Sequence, residues 1–142
     1  MPIRCEIVSQ DRVVFQDDAD IVVIPGESGE MGILPNHSPL LTVLKFGVVT
    51  VRTETSSHYF TVAGGVAEIQ PDQITLLADA AEDVEEIDIK RAQDARERAE
   101  ETLSDAGTLK SSDQLDVIAA LNRSTLRLDA VRKYRGRNIR ID

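Results

Sequence analysis

The sequence predicts an α+β chain: an N-terminal β-sandwich followed by an antiparallel two-helix hairpin. Three observations carry this. Residues 1–80 hold many short runs rich in β-branched residues, the composition of strands. Gly, Pro and Asn pairs punctuate those runs, as turns require. After Ala80 the pattern changes, and apolar residues recur every three or four positions, the period of a helix. The division predicted is residues 1–84 for the sandwich and 85–142 for the hairpin with its basic tail.

Ile3 to Val8 alternates apolar and polar side chains, as a half-buried strand does. Val13-Val14-Phe15 and Ile21-Val22-Val23-Ile24 are short apolar runs, and Phe46 to Thr53 carries Val48, Val49 and Val51. Tyr59 to Val62, Val66 to Ile69 and Ile74 to Leu77 complete the set. The predicted separators are Pro25-Gly26, Ser28-Gly29, Pro35-Asn36, Gly64-Gly65 and Pro71-Asp72. Short strands at regular spacing suggest a sandwich or a flattened barrel.

Residues 88–105 contain no Gly or Pro. Asp88 is placed to cap a first helix, Ala92, Ala95, Ala99 and Leu103 form its stripe, and Gly107 is the expected stop. Ser111-Ser112-Asp113-Gln114 has the form of a capping box, with Ser111 as N-cap. Val117, Leu121, Ser124, Leu128 and Val131 then share a face of a second helix. The alanine stripe buries little area, at about 25 cal/mol per Å². Two readings follow: an ordinary stable hairpin, or one that is held marginally and can detach.

The chain has 142 residues and a formal charge of −9. That charge disfavours general nucleic-acid binding, because phosphate attraction needs a positive surface. Two Tyr, three Phe and no Trp leave few platforms for stacking bases. The single Cys5 excludes an internal disulfide or a multi-cysteine metal site. No segment reaches the roughly 20 apolar residues of a membrane span. Met1 to Gln10 lacks the apolar stretch of a secretory signal, so a reducing compartment is expected.

Charge is unevenly distributed. Residues 122–142 hold Arg123, Arg127, Arg132, Lys133, Arg135, Arg137 and Arg140 against Asp129 and Asp142. Docking to an acidic partner explains this tail, and a helix end whose dipole favours cations explains part of it. Arg91 and Arg98 share one face of the first helix, and Arg123 and Arg127 one face of the second. A closed hairpin would let these four converge on a phosphate. The alternative is four solvated arginines, some paired with Glu97, Glu100 or Glu101. For catalysis the sequence offers little. It has two histidines and no HExxH, Walker or GxSxG motif, and Glu27 and Glu30 lie in a Gly-rich stretch expected to be a solvated turn.

Gly29-Glu30-Met31-Gly32-Ile33-Leu34-Pro35-Asn36-His37-Ser38-Pro39-Leu40 resembles the signature loop of the epsilon subunits of F-type ATP synthases. Gly64-Gly65, the Ile74 to Ala78 strand and Ile87-Asp88-Ile89-Lys90-Arg91-Ala92 fit the same family. The resemblance runs from Ile3 to about Lys133 and leaves Tyr134 to Asp142 without a counterpart. It implies a non-catalytic rotor subunit that couples proton translocation to ATP synthesis. It also implies a sandwich of about ten strands that joins the gamma subunit and the c-ring. Glu30 would face the c-ring loops, and His37 would help seat the sandwich.

The resemblance further implies a mobile hairpin that extends to the beta (and alpha) subunits and inhibits hydrolysis, with Arg123, Arg127, Arg132 and Lys133 as the acidic-surface contacts. Folded down, such hairpins bind ATP in some bacterial members. Ile87, Asp88, Arg91 and Ala92 match that motif, Arg98, Arg123 and Arg127 match phosphate-facing arginines, and Glu82 matches a further contact. No cofactor is implied beyond ATP as a regulatory ligand. The implied location is peripheral, on the cytoplasmic face of the bacterial plasma membrane, with membrane association only through the complex. A stand-alone ATP-sensing domain is the alternative.

Overall fold

The computed structural model describes residues 1–10, 12–105 and 110–136. Eight strands precede the helices: β1 (Ile3–Ser9), β2 (Arg12–Ala19), β3 (Ile21–Gly26), β4 (Gly29–Ile33), β5 (Leu40–Arg52), β6 (Ser57–Ile69), β7 (Gln73–Ala78) and β8 (Ala81–Asp83). A 3₁₀ turn at Val84–Glu86 leads to α1 (Ile89–Ser104) and α2 (Ser111–Tyr134). The strands form one continuous sheet in the order β2-β1-β7-β6-β5-β3-β4, with β8 added to β6.

Strands β5 and β6 are each 13 residues long and let this sheet fold into two layers. The second half of β6 pairs with β7 from Gly65 to Ile69, whereas its first half pairs with β8 from Phe60 to Val62. The change of partner falls at Gly64-Gly65, with φ of +87° and +132°. The sequence predicts a turn there; the structure has an uninterrupted strand with a corner, as where strands pass between packed sheets. Each long strand serves both layers, which is why about ten strands are expected and eight are found. The inner faces follow the predicted alternation. Ile3, Cys5 and Ile7 of β1, Val22 and Ile24 of β3, and Ile74 and Leu76 of β7 are fully buried.

Three elements depart from the sequence reading. Gly29–Ile33 is strand β4 rather than turn, paired with β3 through Pro25↔Glu30 and Val22↔Ile33. The start of β5 and the short β8 also went unpredicted, because Leu40-Leu41 follows a proline-rich turn and Ala81-Glu82-Asp83 has no strand composition. The predicted cap at Ser111 is replaced by Lys110, which offers no side-chain hydrogen bond, and Ser111 is already helical. Gly107 lies outside the described residues. Asp88 does cap α1, its Oδ1 accepting the Arg91 amide N–H at 3.0 Å.

The two helices pack on each other through Ala92 and Ala99 of α1, and the buried Ser124 lies on α2. Ser124 turns its hydroxyl onto the carbonyls of Ala120 and Leu121, 3.1 and 3.0 Å away, so that buried hydroxyl is satisfied within its own helix. The C-terminal half of α2 rests on the sandwich. Ala130, Val131 and Tyr134 join Val84, Ile87, Val48 and Tyr59 in a small second core. The hairpin is therefore folded down.

Candidate functional site

The start of α1, the 3₁₀ turn, β8, α2 and the tip of the β1–β2 hairpin enclose an open cleft of about 600 Å³. Of the residues singled out in the sequence, Glu82, Ile87, Asp88, Arg91, Ala92 and Arg127 line it. Local structure explains each placement. Strand pairing of Thr61 with Glu82 sets the Glu82 carboxylate at the edge of the sandwich. Burial of Ile87 at 4% exposure anchors the chain immediately before α1. The Asp88 cap then fixes the first turn of α1 and with it Arg91 and Ala92. From the facing helix, Arg127 donates its Nε–H to Glu82 Oε1.

The cleft is strongly polar and balanced in formal charge. Arg12, Arg91 and Arg127 face Glu82, Glu86 and Asp88. Among the described residues, the side chains of Arg12 and Arg91 make no ion pair, and Arg127 uses only Nε. The remaining guanidinium N–H groups are available to an anionic ligand, and guanidinium forks match phosphate oxygens. Asp88 spends one oxygen on its cap and keeps the other for a donor.

Arg123 lines a narrow pocket beside the cleft, together with Glu82, Leu126 and Arg127. Arg98 stands two turns along α1, roughly 10 Å from Arg91, and lines neither space. The four arginines thus do not converge between the helices. Two meet at the cleft, one lies next to it and one is apart. Sequence reasoning missed Glu86, in the 3₁₀ turn, and also missed Gln10 and Arg12, which complete the wall. Their only local sign is the tight β1–β2 connection, where Gln10 takes a φ of +50°; the residues they face are some 70 positions away.

The other candidates lie elsewhere. Glu30 is exposed on β4, the end strand of the sheet. His37 follows in the next turn, with Nδ1 2.7 Å from the Ser38 carbonyl. Arg132 pairs with Asp129 at 3.2 Å, and Lys133 Nζ sits 5.2 Å from the centre of the Tyr134 ring. Arg135 turns back onto the protein, so among the described residues the tail presents fewer outward cations than its sequence suggests; Arg137 and Arg140 lie outside them. On the sandwich, Val43, Val66 and Leu77 form a row across three neighbouring strands, all exposed, with Leu41 two residues along β5 at 69% exposure.

The family model for the beta-sandwich domain of the ATP synthase delta/epsilon chain matches residues 2–84, and that for its long alpha-helix domain matches residues 85–132. The chain belongs to the ATP synthase delta/epsilon family. Within it, the chain is 40% identical over 136 residues to the ATP synthase epsilon chain of Dehalococcoides mccartyi, covering 94% of both. It is 42% identical over 134 residues to that of Syntrophobacter fumaroxidans, covering 92% of this chain and 96% of the other. Both relatives are named as ATP synthase epsilon chains. The fold is shared with a chain in the Euglena gracilis mitochondrial ATP synthase, at TM-score 0.74 and 23% identity, over 91% of this chain and 80% of that one. Among the described residues, no helix of this delta/epsilon chain is long and apolar enough to cross a membrane.

Proposed function

We propose that this chain is a rotor subunit at the foot of the ATP synthase central stalk, built as a sandwich over 1–84 and a hairpin over 85–142. The sandwich docks the gamma subunit and the c-ring, coupling proton flow to ATP synthesis at the cytoplasmic face of the bacterial plasma membrane. The exposed row of Val43, Val66 and Leu77 supports an apolar partner contact of this kind. Glu30, on an edge strand, suits the polar loops of the c-ring. The hairpin restrains ATP hydrolysis when it extends to the beta and alpha subunits, offering Arg123, Arg127, Arg132 and Lys133 to an acidic surface.

In the folded-down pose the hairpin binds ATP. The observation carrying this is the gathering of Glu82, Ile87, Asp88, Arg91, Ala92 and Arg127 around one cleft. Its volume lies within the roughly 300–1,000 Å³ of small-molecule sites. The free Asp88 oxygen accepts from the adenine amino group against the Ala92 surface. Arg91, Arg127 and Arg12 meet the phosphates, with Arg123 at the border. Arg98 reaches the ligand only if α1 or its side chain shifts. ATP stabilises the down pose because it bridges both modules there, and a ligand shifts a conformational equilibrium only through such differential affinity.

Two measurements test the proposal. The chain is mixed with a catalytic head lacking its epsilon subunit, and gamma binding and ATPase rate are followed. Binding with a lowered hydrolysis rate is expected, and neither occurring refutes the rotor role. Calorimetry with ATP and Mg²⁺ tests the cleft, where absence of heat at millimolar ligand removes the nucleotide site. ATP binding without gamma binding would instead identify a stand-alone ATP-sensing domain.

A further inference from the structure

The C-terminal end of α2 is tied to the 3₁₀ turn by contacts that the charge pattern does not suggest. Arg135 ends the helix in an extended conformation. Its Nη2 donates to the carbonyl of Val84 at 2.7 Å and to that of Ile87 at 2.6 Å, and its Nε donates to Val84 at 3.2 Å. The next amide, of Gly136, donates to Glu85 Oε1 at 2.7 Å. Gly136 has a φ of +85°, a region open to glycine at no steric cost. Two successive residues thus engage the first carbonyl of the turn, the carbonyl that follows it and the Glu85 carboxylate between them. Tyr134 secures the same end by stacking on Tyr59, with ring centres 4.5 Å apart.

The target of these bonds matters. The Val84 carbonyl accepts the Ile87 amide of its own turn only at the long distance of 3.5 Å, and a carbonyl oxygen has a second lone pair, so a charged donor is a favoured further partner. Asp83 already caps the start of this turn through the Glu85 amide at 2.9 Å. Arg135 closes the other end from a distant helix. By fixing the Ile87 carbonyl it also fixes the backbone that runs directly into Asp88, the first residue of α1's cap and a wall of the cleft.

We propose that Arg135, assisted by Gly136, is a positioning residue. It latches the hairpin onto the sandwich in the absence of ligand and presets the Ile87–Asp88 wall of the cleft. The second half of this statement rests on the nucleotide reading above; the latch itself does not. Hydrogen bonds from a charged donor are individually strong enough that losing this set lowers the closed-to-open ratio by about tenfold or more. Apparent ligand affinity then falls in proportion to the closed fraction.

The test uses the full chain with spin labels at the exposed positions Thr55 on the sandwich and Glu97 on α1 (Thr55→Cys, Glu97→Cys), while the buried Cys5 stays unlabelled. Pulsed distance measurements without nucleotide are expected to give a dominant short distance for the parent. Arg135→Ala should shift weight to long distances by about tenfold in ratio, and Arg135→Lys, which keeps the charge but has no counterpart of the Nε donor to Val84, should fall between. Added ATP should close the Arg135→Ala chain again, at a higher concentration than the parent needs. Opening of Arg135→Ala in a chain that binds no ATP upholds the latch and removes only the nucleotide reading. An unchanged distance distribution for Arg135→Ala, or a parent already open without ligand, overturns the latch whether or not ATP binds.

Discussion

The corner at Gly64-Gly65 gives the sharpest quantitative test of the fold. A Cβ built on Gly65 would lie 2.2 Å from the Leu77 carbonyl oxygen and 2.7 Å from the Ala78 Cα. Both are backbone atoms, so no rotamer change relieves them. Gly65→Ala must part β6 from β7 by roughly 1 Å, at an overpacking cost of about 1–3 kcal/mol. The φ of +132° adds about 1–2 kcal/mol of strain for an L-residue. The sum, about 2–5 kcal/mol, corresponds to a Tm lower by roughly 10–40 °C for a domain of this size. Gly29 provides the control, because its φ is +129° yet nothing lies within 4 Å of a Cβ there. Gly29→Ala should therefore cost only the strain, about 1–2 kcal/mol. Thermal unfolding followed by far-UV circular dichroism compares the two. Equal losses for the two variants would mean that β6 does not turn its corner against the β7 backbone.

Three other outcomes are expected. Arg123→Ala combined with Arg127→Ala should weaken ATP binding about tenfold or more, since hydrogen bonds to charged groups are each worth about 1.5–3 kcal/mol, and should also relieve inhibition; titration calorimetry and ATPase assays on the reconstituted head would expose an unchanged pair. Removing residues 88–142 should leave a folded sandwich, because its main core is built wholly from the strands; loss of the cooperative β-sheet transition would contradict this. Burial raises the Cys5 thiol from 9.0 to about 12, so it should resist alkylation at pH 8 in the native chain and react once denatured. The same shift makes its contribution to stability complete below pH 9.0 and progressively lost as pH climbs towards 12. Thiol labelling and pH-dependent denaturation read the two effects.

The sandwich was legible wherever one face is buried, because alternation in Ile3 to Val8 or Ile74 to Leu77 reports the core directly. Strand β4 was hidden by Gly29 and Gly32, whose turn chemistry outweighs two apolar residues. Gly64-Gly65 misled for the opposite reason: Gly65 serves a close approach to Leu77 and Ala78, and Gly64 one to Asp79, which no local pattern encodes. At the site, helix-start chemistry gave Asp88 as a cap and periodicity put Ala92 in the helix stripe, whereas their grouping with Arg91 as a ligand site came from the family resemblance of Ile87 to Ala92. Arg12 could not be read, since only folding brings the β1–β2 tip beside α1. Nor could the inward turn of Arg135, whose carbonyl targets carry no side-chain identity at all.

The alanine seam between α1 and α2 bears on how fast the hairpin can change pose. Ala92 and Ala99 have no rotamers to reshuffle, so the helices part and re-engage like smooth rails rather than meshed teeth. Adhesion to the sandwich lies on the C-terminal half of α2, from Arg127 on Glu82 to Tyr134 and Arg135, and the rest of the contact follows once that half lets go. Such a device trades grip for speed, responding as a hinged clasp does, with its release point far from most of the surface that it frees.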